Sequence, residues 1–179
     1  VEQNEMVSNT KTGDNLVKFR EVQRFMQWWI WLLLCSIAAM MWIMAFVQLV
    51  LGIKVGSKPA PDFILVALWL VFGIAFPYFF LSNRLIIEVR GDGIYYRFTS
   101  LQFRFRQVQF DELAAAQFRQ YHPLREYGGW GIRLGKGSIA YNVTGNRGVM
   151  LELLNGKKIL LGSQQPEELL QAIEQGQKG

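Results

Sequence analysis

The side chains best suited to chemistry are few in this 179-residue chain, and they stand far apart. His122 is the single histidine. It lies in "QYHPLRE", directly before a proline, where a surface or capping role fits better than a base. Cys35 is the single cysteine and sits inside a long apolar run. One of each excludes an intrachain disulfide, a multi-cysteine metal site and a histidine-pair mechanism. The carboxylates Glu88, Asp92, Asp111, Glu112, Glu126 and Glu152 are scattered, and no two have a spacing that suits paired acid and base work. Ser163, just ahead of a helix signal, reads as a turn or cap. No nucleophile motif, metal motif or dinucleotide fingerprint is present. The expectation is no catalytic residue, no metal, no cofactor and no enzyme.

Two glycine-bearing blocks come nearest to a binding site. "REYGGWGIRLG" (125–135) lacks the GxxxxGK[ST] spacing and leads into a strand pattern, so no helix dipole follows to hold a phosphate. Gly128 and Gly129 fit a turn with positive φ, and Gly131 fits close approach of a backbone or ring. Trp130 would then pack on a sheet or lie at a membrane surface. "TGNRG" (144–148) reads as a turn with Arg147 at its tip, and turn amides beside an arginine can make an anion site. Arg125, Arg133 and Arg147 are therefore the candidate partner- or phosphate-binding residues. Were these loops to converge at one sheet edge, three guanidiniums would offer bidentate donors to an acidic segment or a lipid phosphate. The alternative is three solvated charges on separate faces.

What must position these residues is a chain of two unlike parts. Hydrophobic residues make up 51% of it, concentrated between Phe25 and Leu81. "FMQWWIWLLLCSIAAMMWIMAFVQLVLG" (25–52) carries no formal charge and exceeds the roughly 20 residues that cross a bilayer core. Gln27 and Gln48 lie near its ends, within reach of headgroups and water. Trp28, Trp29 and Trp31 cluster at one end, as an interfacial belt does. A polar Gly/Pro turn, "GIKVGSKPAPD", leads to a second span, "FILVALWLVFGIAFPYFFL" (63–81), which Pro77 should kink near its end. Buried helices of a soluble bundle would show a polar stripe, which neither run has. Lys18, Arg20 and Arg24 precede the first span and Arg84, Arg90 and Arg97 follow the second, against Lys54 and Lys58 in the turn. This bias predicts cytoplasmic termini. Arg20, Arg24, Trp28, Trp29, Trp31 and Arg84 are the expected membrane-interface residues. Residues 1–15 are polar and aperiodic and are expected to be flexible. In the stretch after them, Leu16, Phe19, Val22 or Gln23, and Phe25 or Met26 recur at helical spacing. That predicts an amphipathic lead-in at the membrane surface or an extension of the first helix, so 16–82 forms the membrane part.

From Arg84 the period changes to two. "RLIIEVR", a "DG" turn and "IYYRF" make a hairpin. "FRFRQVQF" alternates, with Phe103, Phe105, Val108 or Gln107, and Phe110 competing for the core face. "LAAAQFRQY", "GWGIRLG", "SIAYNVTG", "GVMLELL" and, after an "NG" turn, "KKILLGS" are further strands. "PEELLQAIEQ" ends the pattern as a helix with Pro166 in its first turn and Leu169, Leu170 and Ile173 on one apolar face. In this order, "LIIEVRGDGIYYRF", "REYGGWGIR", "AYNVTGNRGVMLEL" and "NGKKILLGSQQPEELLQAIEQ" resemble a bacterial pleckstrin-homology-like domain of the kind found behind two membrane spans in small membrane-anchored proteins. The resemblance covers residues 18–175. It implies a two-helix transmembrane hairpin plus an α+β soluble domain over 84–175. That domain would be a bent antiparallel sheet of about seven strands capped by the C-terminal helix, in the bacterial cytoplasmic membrane.

The formal net charge is +5. From Arg84 onward there are 13 basic and 9 acidic residues, a mild surplus that tethering beside an anionic leaflet explains better than nucleic-acid binding. The expected partners are membrane lipid and either a protein partner or further copies of the chain. The expected role is that of a non-enzymatic, membrane-anchored scaffold or accessory subunit, the alternative being a module that reads anionic headgroups.

Overall fold

The structure is a computed structural model that describes residues 17–25, 27–54, 56 and 59–178. The expected flexible segment 1–15, with Leu16 and Met26, lies outside them. The described chain divides into two compact units, one built from the segment up to Arg24 together with Arg84 onward, the other from Phe25–Asn83.

The second unit is a helical hairpin. Helix α1 runs over Trp28–Val50 and helix α2 over Asp62–Ser82, each with a mean hydropathy of 2.4. Both contain π-type turns, at Phe46–Val50 and Trp69–Ala75. Only 11% and 6% of the residues in their apolar windows are buried, where those of a soluble core helix would be mostly buried. Pro77 has no N–H to offer the carbonyl four residues back, that of Gly73; this oxygen accepts a hydrogen bond from Trp42 Nε1 on the other helix at 3.3 Å. Trp42 also meets Trp69 edge-on at 4.9 Å. Gln48, near the end of the first apolar run, spends its amide inside the hairpin. It is buried, and its amide donates to Ala60 O and to Asp62 Oδ1, each at 2.8 Å, tying the two helix ends together.

The first unit is a sandwich of two sheets. Strands β1 (Phe19–Arg24), β2 (Arg84–Arg90), β3 (Gly93–Phe98) and β4 (Arg106–Gln109) form an antiparallel sheet in that order. Strands β5 (Leu113–Gln120), β6 (Gly131–Gly135), β7 (Ser138–Asn142), β8 (Arg147–Leu153) and β9 (Lys158–Gly162) form the second, in the order β5-β8-β9-β7-β6. Helix α3 (Pro123–Tyr127) is one short turn, and α4 (Pro166–Gln177) closes the chain. In the first sheet Leu85, Ile87 and Val89 lie opposite Phe98, Tyr96 and Ile94, so all six share the inner face; all but Tyr96 are fully inaccessible. In the second sheet Val149, Leu151 and Leu161 are fully buried, and the opposite face is buried too, where Met150, Leu160 and Ala140 cluster with Tyr121 and Tyr127. Burial on both faces is why "VML" and "ILL" run apolar without alternation.

Three expectations need correction. The lead-in before the first span is neither a surface helix nor an extension of α1. Phe19–Arg24 is strand β1, paired in antiparallel register with β2 from Phe19↔Val89 to Arg24↔Arg84. The sheet domain is therefore not the continuous stretch 84–175; the helical hairpin is inserted between two neighbouring strands. The domain is also not one bent antiparallel sheet of about seven strands. Among the described residues it has nine strands in two sheets, and β7 and β9 pair in parallel. Finally, Leu170 is not on the sealing face of the last helix. Leu169, Ala172, Ile173 and Gly176 are buried there at helical spacing, while Leu170 is half-buried beside exposed Phe118. A β-carbon on Gly176 would run into the ring of Phe110, so the helix end lies flat against that residue.

Candidate functional site

The sandwich has two corners, and helix α4 fills one of them. It packs on β1, β2 and β3 of the first sheet and on β5 and β8 of the second. The approach to this helix is held from β1. Ser163 Oγ donates to Glu21 Oε2 at 2.6 Å, the Gln164 amide donates to Glu21 Oε1 at 2.8 Å, and Gln23 Nε2 donates to Gly162 O at 2.7 Å. Glu21 and Gln23 point inward because they lie opposite Ile87 and Leu85. Inward polar groups on an edge strand also discourage further strand pairing.

The other corner is open. Between β4 and the β6, β7 and β9 side of the second sheet lies a groove of about 680 Å³. Val108, Ile139, Leu153 and Ile159 supply its apolar lining, Leu134 flanks it with 82% of its surface exposed, and Arg106, Lys157 and Lys158 supply positive charge against the one carboxylate of the lining, Glu112. Lys158 is paired with Glu152 at 2.6 Å. Tyr96 and Tyr141 meet edge-on at 4.7 Å where the two sheets come together, and Arg106 stands over the Tyr141 ring at 5.9 Å. Burial, and after it the neighbouring Tyr141, holds the Tyr96 hydroxyl well above the ordinary tyrosine range, so it stays a neutral hydrogen-bonding group. An apolar lining with cations beside it suits an extended segment that is apolar on one side and acidic on the other.

The three candidate arginines take different partners. Arg125, on α3, borders a second cavity of about 370 Å³ with Arg119, Lys136 and Ser138, where Arg119 is already paired with Glu126 at 2.7 Å. Arg133 donates from Nε to Trp130 O at 2.9 Å. Arg147 is the first residue of β8 rather than the tip of its turn, and it faces Glu167 of α4 at 3.7 Å. The turn tip is Gly145, with φ at +75°, and its carbonyl accepts from Trp130 Nε1 at 3.3 Å.

Within "QYHPLRE", Pro123 opens α3, and Glu126 Oε1, four residues past His122, reaches back to accept the His122 amide at 2.7 Å. Gly128 ends that turn in the left-handed region at φ +69°, and Gly129 follows at +131°. Gly131 also has positive φ, at +111°, and a β-carbon there would meet only Arg133 Nε at 3.9 Å, an ordinary contact, so conformation rather than close approach calls for glycine. Tyr127 is turned onto the second sheet, its hydroxyl sharing a hydrogen bond with Ser138 at 2.8 Å. The glycine block is thus the hinge that lays Tyr127 over the sheet.

Of the expected interface residues, Arg20 has a different engagement. It lies opposite Glu88 on the outer face of the first sheet, 3.2 Å from that buried carboxylate, which Arg90 also contacts at 2.6 Å. Arg24 and Arg84 lie side by side at the strand ends where the chain enters and leaves the hairpin. Trp28 and Trp29 are exposed at the start of α1, and Trp31 Nε1 donates to Phe25 O at 2.8 Å. Among the described residues, no group of three or more His, Cys, Asp or Glu is placed to hold a metal.

Sequence reasoning missed the open-corner residues Tyr96, Arg106, Tyr141 and Lys157, because four separate segments bring them together. The one local hint is the pair of lysines directly after the "NG" turn. Neither a curated protein nor a solved structure matches the chain. A family model does, over residues 10–177, and the chain accordingly belongs to DUF6141, a family of unknown function.

Proposed function

We propose that the protein is a non-enzymatic, membrane-anchored binding module, an accessory subunit that holds a partner of a membrane assembly in the open corner of its sandwich. The observation that carries this reading is the asymmetry of the two corners: one sealed by α4, the other left as a groove with apolar lining and basic neighbours. The resemblance to a pleckstrin-homology-like domain fits a C-terminal helix at one corner. In this reading α1 and α2 cross the membrane, which their outward apolar surface supports. Because the hairpin is inserted between paired strands, two chain crossings tether the domain.

The test is purification of the full chain in mild detergent, with Leu134→Glu and Lys157→Glu compared against the unaltered protein. Both positions are exposed, so melting temperature should hold while a stoichiometric partner is lost. Retention of the partner by both variants, or its absence from the unaltered protein, would remove the groove as the binding site. In this reading both termini lie in the cytoplasm, at a bacterial inner membrane, an orientation favoured by Lys18, Arg20, Arg24, Arg84, Arg90 and Arg97 against Lys54 and Lys58 in the turn. Ser57→Cys should then react with an impermeant thiol reagent added outside intact cells. Protection of that position until the cells are opened would reverse the orientation.

A further inference from the structure

The loop between β3 and β4 displays two of its three large apolar side chains to the outside. Phe103 is 96% exposed and Leu101 is 52% exposed. Yet the loop is held at both ends. At its start, the Leu101 and Gln102 amides donate to Phe98 O at 3.3 and 2.8 Å, and Gln102 Oε1 accepts the Phe98 amide at 3.1 Å. At its end, the ring of Phe105 lies under Arg97 at 4.5 Å and Arg90 at 5.6 Å, and meets Tyr95 edge-on at 6.4 Å. Phe105 is folded back on the sheet, while Phe103, two residues earlier, is presented.

Register fixes where this loop emerges. The Thr99 amide donates to Arg84 O and the Arg84 amide to Thr99 Oγ1, both at 2.9 Å, and Arg84 lies opposite Arg24. The loop therefore leaves the first sheet at the end where the chain passes covalently into Phe25 and out of Asn83. Exposed Arg104 follows Phe103 directly, and exposed Arg24 and Arg106 lie at the same strand ends. An aromatic and an aliphatic tip flanked by guanidiniums is the composition that enters the headgroup boundary of an anionic bilayer.

We propose that residues 99–105 form a third membrane contact. Phe103 and Leu101 enter the interfacial layer of the bilayer that α1 and α2 cross, and Arg104 meets lipid phosphate. This rests on the membrane-spanning reading above, and the experiment separates the two. The full chain is reconstituted in vesicles of phosphatidylcholine with phosphatidylglycerol, carrying an environment-sensitive nitrobenzoxadiazole probe at one site per sample. The sites are native Cys35 in α1, Phe103→Cys, and Lys18→Cys at the opposite end of the first sheet; the last two are combined with Cys35→Ser. Spin-labelled lipid should quench the probe at Cys35 and at Phe103→Cys, and iodide in the water should quench Lys18→Cys severalfold more strongly than Phe103→Cys. A probe at Phe103→Cys that behaves like the one at Lys18→Cys, while Cys35 is quenched from the lipid, overturns the loop contact alone. A Cys35 probe that lipid cannot quench overturns the membrane-spanning reading. Equal lipid quenching of Phe103→Cys in vesicles of phosphatidylcholine alone overturns the role given to Arg104.

Discussion

The two corners of the sandwich are built from comparable material and end in opposite conditions. At the sealed corner Leu169 and Ile173 of α4 are fully buried, and Glu21 and Gln23 spend their polar atoms on Gly162, Ser163 and Gln164. At the open corner Val108, Ile139 and Ile159 line a groove, while Leu134 and Lys157 face outward. Aliphatic side chains and charges are present in both. The difference lies in whether a polar group is buried on its partner. Glu21 is; Lys157 is exposed, and the Lys158–Glu152 pair lies at the surface. Buried polar groups carry a desolvation cost that only fixed partners offset, so the sealed corner is specified by its hydrogen bonds as much as by its leucines. The open corner keeps surface available for something else to cover.

The contrast can be broken most severely at β1. If this strand is part of the sealed corner, residues 84–178 without it lose the edge pairing of β2 and the anchor for the start of α4. The expected loss is comparable to the whole stability of such a domain, about 5–15 kcal/mol, so the fragment should lack a cooperative melt. Residues 17–24 joined to 84–178 through a two-residue Asn-Gly turn should restore it, since Arg24 and Arg84 are already neighbours in antiparallel register. Circular dichroism melts of the two chains decide the matter. Equal, cooperative melting of both would mean that β1 is an accessory to the fold and not a member of it.

The same strand marks the limit of what the sequence made legible. The two long apolar helices were readable because their criterion is local: some twenty successive apolar residues make a helix long and apolar enough to cross a membrane. Strands β2 through β9 were readable from period-two patterning, β-branched runs and the "DG" and "NG" turns. In β1 two of the three inward positions, Glu21 and Gln23 but not Phe19, are polar and an outward one is Val22, so its polarity is largely inverted. Its apolar residues then fell by chance on helical spacing. What makes the inversion tolerable lies 139 to 143 residues away in sequence, at Gly162, Ser163 and Gln164. A pattern rule with a window of a dozen residues has no access to that. The "FRFRQVQF" alternation failed for a related reason. Of the residues put forward for the core face only Val108 is buried; Phe105 found two arginines on the outer face, and Phe103 found no cover in the sheet. The site suffered most. The arginines picked for their glycine neighbours went to three different settings, and the groove draws its lining from both sheets.

A smaller substitution sharpens the comparison further. Glu21 accepts from Ser163 Oγ and from the Gln164 amide, and Ser163 Oγ in turn accepts the Gln165 amide at 3.0 Å, directly before the first turn of α4. The carboxylate thus stands just ahead of the helix start, where negative charge is favoured, and accepts two donors of the segment that leads into it. Glu21→Ala strands a buried hydroxyl and an amide, which costs about 1–3 kcal/mol; relief from holding a buried charge offsets part of this. Lys157→Ala in the open corner removes an exposed ammonium and should change stability by no more than about 0.5 kcal/mol. Urea unfolding of the joined 17–24 and 84–178 chain measures both on one scale. The expected result is a lower midpoint with unchanged slope for Glu21→Ala and no shift for Lys157→Ala. If the two variants were equally stable, the hydrogen bonds from β1 would not be what distinguishes the sealed corner, and the apolar face of α4 alone would have to account for it.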